Sequence, residues 1–277
     1  MTSFWSDFRL GLNQYSKSFN FIRRNGMLHF YLYPILLIVV LAATSFFGIQ
    51  SLVDLISVWL NGYLGAEEIP ADDFWGKTKA FFSEAGRYIV QALVWASLLL
   101  VFYKLQKYIV LIVMSPVMAL VSERTDEIVT GNRYPFSLKQ VLKDVFRGVG
   151  IALRNGAIEL LITVVLLTLN LLVTIFFSPL TIITSPLVTV ALFVIGAYFY
   201  GFSTIDYTSE RYRLNMADSV QLVRRNRGLA VANGSVFMLW LIVPFFGTYV
   251  GTIIAPITCT VGATLALLEK GEPKKGA

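Results

Sequence analysis

Runs of apolar residues too long for a soluble core constrain this chain more than any other feature. Residues 28–53, 88–121, 150–177 and 180–202 are each near or above the roughly 20 residues that cross a bilayer as a helix. A fifth run, 229–268, is also apolar but is interrupted by Pro244, Gly247, Gly251 and Pro256. The pattern predicts an all-α integral membrane protein.

The remaining composition agrees. Of 277 residues, 56% are hydrophobic and 14% charged, against roughly 25% charged in soluble domains. The polar stretches are too short for a separate soluble domain, so residues 1–277 read as one membrane domain. The net charge of +6 is accounted for by cytoplasmic segments facing anionic lipid, without nucleic acid as a partner. The one cysteine, Cys259, and the one histidine, His29, leave no disulfide, metal cluster or catalytic triad to build. Walker, dinucleotide, zincin and serine-hydrolase motifs are absent. The reading is a protein that is not an enzyme and carries no cofactor. The first apolar run is too long for a signal peptide's core and is expected to remain as an anchor.

Orientation follows from lysine and arginine. Residues 1–29 carry Arg9, Lys17, Arg23 and Arg24 against Asp7. Segments 122–149 and 206–228 and the tail 269–277 are also basic, whereas 54–87 is acidic. Both termini are therefore expected in the cytoplasm and loop 54–87 largely outside. Phe4, Phe8, Leu12, Tyr15 and Phe19 recur at near-helical spacing, which predicts an interfacial helix ahead of the first anchor.

Several runs contain breaks. Lys104 and Lys107 are too costly for mid-bilayer, so the second helix is expected to start near residue 81 and end near 107. Residues 108–121 are then too short to span and read as interfacial or partly inserted. Ser178-Pro179 and Ser185-Pro186 mark a turn between the third and fourth runs. The breaks in 229–268 suit either two full helices or a hairpin that returns to the side it left. Irregular backbone at that depth requires shelter by protein or water.

The basic segment ends are the leading site candidates. Arg23, Arg24, Asn25, Gly26 and His29 precede the first anchor, and Arg224, Arg225, Asn226, Arg227 and Gly228 precede the last run. Guanidinium groups beside free backbone N–H groups suit a small oxyanion. They equally suit lipid headgroups. Other polar groups carry plainer expectations. Glu123, Asp126 and Glu127 read as a solvated helix face, and Asp206, Glu210, Arg211 and Arg213 as interfacial pairs ending a helix. Glu159 is expected to snorkel towards Arg154.

The chain resembles the CysZ sulfate-permease family and its etoposide-induced-protein relatives. The resemblance rests on residues 23–34 (RRNGMLHFYLYP), 114–127 (MSPVMALVSERTDE), 206–211 (DYTSER) and 244–264 (PFFGTYVGTIIAPITCTVGAT). It implies two spanning helices, here 35–59 and 81–103. It also implies two hairpins partly inserted from the cytoplasmic side, here 150–202 and 229–268. Homo-oligomers, a bacterial inner membrane and sulfate uptake are likewise implied. In the family's glycine-leucine-arginine element the arginine binds sulfate; here Leu28 stands at that position, followed by His29.

Two functions from different classes follow. One is an anion permease or channel with sulfate as the favoured ion, placed at Arg23, Arg24, Asn25, Gly26 and His29, with Arg224, Arg225 and Arg227 as a second basic helix start. The other is a non-transporting scaffold or lipid-organising protein, favoured by the scarcity of polar groups in the apolar runs. Either has the lipid bilayer as a partner; the first adds a small inorganic anion.

Overall fold

A computed structural model describes residues 3–37, 39, 58, 113–133, 138–243 and 250–272. The chain divides into two compact units, Met1–Leu36 with Lys107–Ala277, and Leu37–Gln106. The second falls outside the described residues apart from 37, 39 and 58, and with it almost all of the expected spanning helices and the whole of loop 54–87.

Every regular element among the described residues is helical. In chain order these are α1 (Phe4–Arg24), a 3₁₀ turn (Met27–Tyr31) followed directly by a short helix over residues 32–37, α2 (residues 113–130), α3 (Leu138–Phe176), a second 3₁₀ turn (Ser178–Leu180), α4 (Thr181–Arg211), α5 (Met216–Arg225), α6 (Arg227–Ile242) and α7 (Thr252–Glu269).

The first helix forms where its spacing predicts, but its inward face is the polar one. Asp7, Gly11, Gln14, Ser18 and Ile22 are buried at steps of three and four against α6 and α7, as helix geometry requires of one face. Trp5, Leu12 and Phe19 are exposed. Small and polar groups can face the protein because they are partnered there. Gln14 bonds Glu269, and Lys270 Nζ donates to Asp7 Oδ1 at 2.9 Å. The apolar stripe is left for other surroundings.

Close approach of backbones sets the core. A Cβ on Gly201 of α4 would lie 1.8 Å from Ala230 O of α6, and one on Gly234 would lie 1.6 Å from Ala197 O. Only glycine admits that crossing. It lets Phe202, Ile205, Leu222, Val223, Leu229, Ala263 and Leu267 close into one cluster.

Helices α3 and α4 fold back on each other through the Ser178–Leu180 turn. Asn170 Nδ2 donates to Ser185 Oγ (3.1 Å) and Thr184 Oγ1 donates to Asn170 Oδ1 (2.9 Å). Ser178-Pro179 lies in the turn, as expected. Ser185-Pro186 does not: Pro186 sits inside α4. Pro256 is likewise inside α7 rather than at a break, while residues 244–249 lie outside the described residues. Residues 146–176 and 178–211 form two helices long and apolar enough to cross a membrane. The first spans about 46 Å at the standard rise. Around the turn they are apolar on their outer faces, with Leu161, Leu171, Ile175, Phe176, Ile182 and Leu187 exposed.

Helix α2 runs through residue 130 without ending at 121. Met114, Met118 and Val121 are buried in protein, while Val113 and Leu120 are exposed, so residues 113–121 belong to a longer helix with one face packed and the other open.

Candidate functional site

The two arginine pairs occupy matching junctions. Arg23 and Arg24 form the last turn of α1, Asn25 is its C-cap, and Gly26 takes the left-handed conformation (φ 68°) that leads the next turn. The Asn25 side chain donates back to Phe21 O at 2.8 Å. Arg224 and Arg225 form the last turn of α5, and Asn226 donates from its side chain to Leu222 O at 3.0 Å. Backbone angles at the two asparagines are close, −102° and 15° against −110° and 32°. The repeated Arg-Arg-Asn is thus a helix stop as well as a helix start. The cations sit beside C-terminal carbonyls, where the helix dipole favours them.

All five arginines, Arg23, Arg24, Arg224, Arg225 and Arg227, are exposed. The fold places Arg154 of α3 in the surroundings of Tyr198 together with Arg224 and Arg227. On the first junction His29 Nδ1 donates to Gly26 O at 3.0 Å. A carbonyl only accepts, so that nitrogen carries the proton and Nε2 is turned away from the turn.

His29 opens onto a cavity of about 590 Å³ between the Met27–Tyr31 turn and α2, lined also by Phe30, Tyr33, Leu120, Glu123, Arg124, Glu127 and Arg133. Arg124 Nη1 and Glu127 Oε2 are 2.6 Å apart. Arg133 follows Gly131, whose φ of 76° turns the chain at the end of α2.

A second polar centre is buried. Arg147 of α3 donates to Asp206 Oδ1 at 2.7 Å and stands 3.7 Å from Glu210. Ser219 also bonds Asp206, and Ser115 donates to Glu210 at 3.3 Å. Arg211 Nη1 donates to Ser122 O (2.8 Å) and Oγ (3.1 Å), with Asp126 3.9 Å from its Nε. Here the structure corrects three expectations. Asp126 is wholly buried rather than on a solvated face. Asp206, Glu210 and Arg211 do end α4, whose last residue is Arg211, but they are buried rather than interfacial. Glu159 is 1% exposed, so it does not snorkel, and Arg154 donates instead to Asn155. The reason is common to all three: a neighbouring helix supplies counter-charges or cover that the local sequence does not contain.

The family model described as sulfate transporter CysZ/etoposide-induced protein 2.4 matches residues 15–250. The chain belongs to this CysZ/etoposide-induced protein family. No curated protein matches it. Two apolar helices of spanning length fit the membrane character that the family name carries.

Within this CysZ-family chain, Leu28 is 55% exposed on the 3₁₀ turn, so no guanidinium projects from that position. Arg23, Arg24, Asn25, Gly26 and His29 are contiguous around one turn, as the sequence requires. Sequence reasoning passed over Arg133 as a site member and the pairing of Asp206 with Arg147 and Ser219. Asp206 and Glu210 carry a signal, an i, i+4 pair of acids beside an apolar run. Nothing local pairs them with Arg147, which is 59 residues away.

Proposed function

We propose that this protein is a CysZ-like permease for sulfate or a related small oxyanion, working in a bacterial inner membrane as a homo-oligomer with both termini in the cytoplasm. The family match supports the transport class. The observation that carries the anion site is the junction at Arg23, Arg24, Asn25, Gly26 and His29, where exposed cations and a turn stand directly before an apolar helix. In this reading α3–α4 and α6–α7 are the two hairpins, and their outer apolar faces meet acyl chains.

Charge-assisted hydrogen bonds contribute about 1.5–3 kcal/mol each. Replacing both Arg23 and Arg24 by alanine is therefore expected to weaken sulfate binding by on the order of 100-fold. The test is sulfate flux into liposomes carrying the purified protein, with empty liposomes and the double variant as controls. Flux equal to that of empty liposomes would favour the scaffold reading. Flux that survives the double substitution in a normally folded protein would move the anion elsewhere.

A further inference from the structure

The cavity beside His29 is a poor match to a bare dianion. Its walls carry two carboxylates, Glu123 and Glu127, and two guanidinium groups, Arg124 and Arg133. With His29 neutral their formal charges cancel. A doubly charged oxyanion placed there would face both acids with no excess of positive charge to offset them. A ligand carrying one charge of each sign matches such a wall.

Its surroundings point to where that ligand comes from. Leu28, Leu32 and Leu36 are exposed along the turn and the helix that follows it, and Val113 and Leu120 are exposed on α2. Tyr33, half-exposed, lines the cavity beside them, in keeping with the amphipathic aromatic rings that collect at membrane interfaces. Two of the polar groups are open to a ligand. Arg133 is exposed and makes no ion pair among the described residues. His29 uses Nδ1 for Gly26 O, leaving Nε2 for another partner.

We propose that this cavity binds the zwitterionic headgroup of a phospholipid, with the phosphate against Arg133 and His29 and the ammonium against Glu127 and Glu123. The acyl chains then lie along Leu32, Leu36 and Leu120. The proposal rests on the membrane placement given above but not on sulfate transport. It separates the lipid site from the Arg23–Arg24 junction, although His29 borders both.

Free phosphate or sulfate shares half of this chemistry, and the charge on Glu127 distinguishes the sources. Neutralising Glu127 releases Arg124, its partner at 2.6 Å. An oxyanion site then gains affinity; a zwitterion site loses its ammonium partner. The experiment titrates the full-length protein, in a detergent without phosphate, with dihexanoyl phosphatidylethanolamine, dihexanoyl phosphatidylglycerol, sodium sulfate and sodium phosphate. Calorimetry or native mass spectrometry reads binding. Saturable phosphatidylethanolamine binding is expected, weakened about tenfold by Arg133→Gln and about tenfold by Glu127→Gln. Phosphatidylglycerol is expected to bind more weakly than phosphatidylethanolamine and not to weaken further in Glu127→Gln. Circular dichroism and size exclusion check folding, and His29→Gln with Glu123→Gln replaces any variant that fails them. The proposal is overturned if phosphatidylethanolamine does not saturate, if Glu127→Gln leaves its binding unchanged or tightens it, or if sulfate or phosphate displaces it at comparable concentration. Lipid binding lost in Arg133→Gln with sulfate flux intact would uphold the lipid site and leave the permease reading standing independently.

Discussion

Arg147 Nη2 donates to Asp206 Oδ1 at 2.7 Å, joining α3 to α4 at the buried end of their pairing. The same guanidinium stands 3.7 Å from Glu210, so one cation is shared by two acids one helical turn apart. Removing it leaves two buried carboxylates without that charge. Arg147→Met is therefore expected to destabilise the fold by about 3–5 kcal/mol. Thermal unfolding in detergent checks this; an unchanged midpoint would show that the acids do not depend on this guanidinium.

The α4–α6 crossing is the most sterically demanding contact. A methyl group on Gly234 would lie 1.6 Å from Ala197 O, which backbone cannot yield to without the helices separating. Gly234→Ala is expected to cost at least the 1–3 kcal/mol typical of an overpacked core. Gly26→Ala makes a useful contrast, since its Cβ meets nothing within 4 Å and only the positive φ opposes it. Comparing the two midpoints checks the argument: equal losses would mean that crowding is not what requires glycine at 234.

Burial raises the Tyr31 phenol from 10.0 to about 12, with Tyr15 and Cys259 adding to the shift. The folded state thus holds a proton that the unfolded chain loses first. Stability from this group is fully present below pH 10 and declines as pH rises from 10 towards about 12. Tyr31→Phe removes that decline. Unfolding midpoints of the two proteins between pH 9 and 11 are expected to diverge as the pH increases; parallel curves would assign the alkaline loss to other groups.

Topology is testable by labelling. The acidic loop is expected outside and the basic tail inside. A cysteine at Asp72 is expected to react with an impermeant thiol reagent in intact cells, and one at Lys274 only after lysis. The reverse pattern would invert the orientation.

Local pattern was enough for the helical class, for the family, and for α1 and the α3–α4 turn at Ser178-Pro179, because periodicity, turn residues and apolar length act over a few residues. It also showed the repeated Arg-Arg-Asn, whose asparagines cap two helices in the same way. Only the tertiary structure decided which face of α1 turns inward, since Asp7 and Gln14 are tolerable inside only beside Lys270 and Glu269. It alone made Asp126, Asp206 and Glu159 buried groups rather than surface ones, and it alone set Arg124 and Arg133 around the same cavity as His29. Burial and ion pairing depend on what a distant segment brings within a few ångströms, and a charge in a linear sequence carries no record of the partner that will neutralise it.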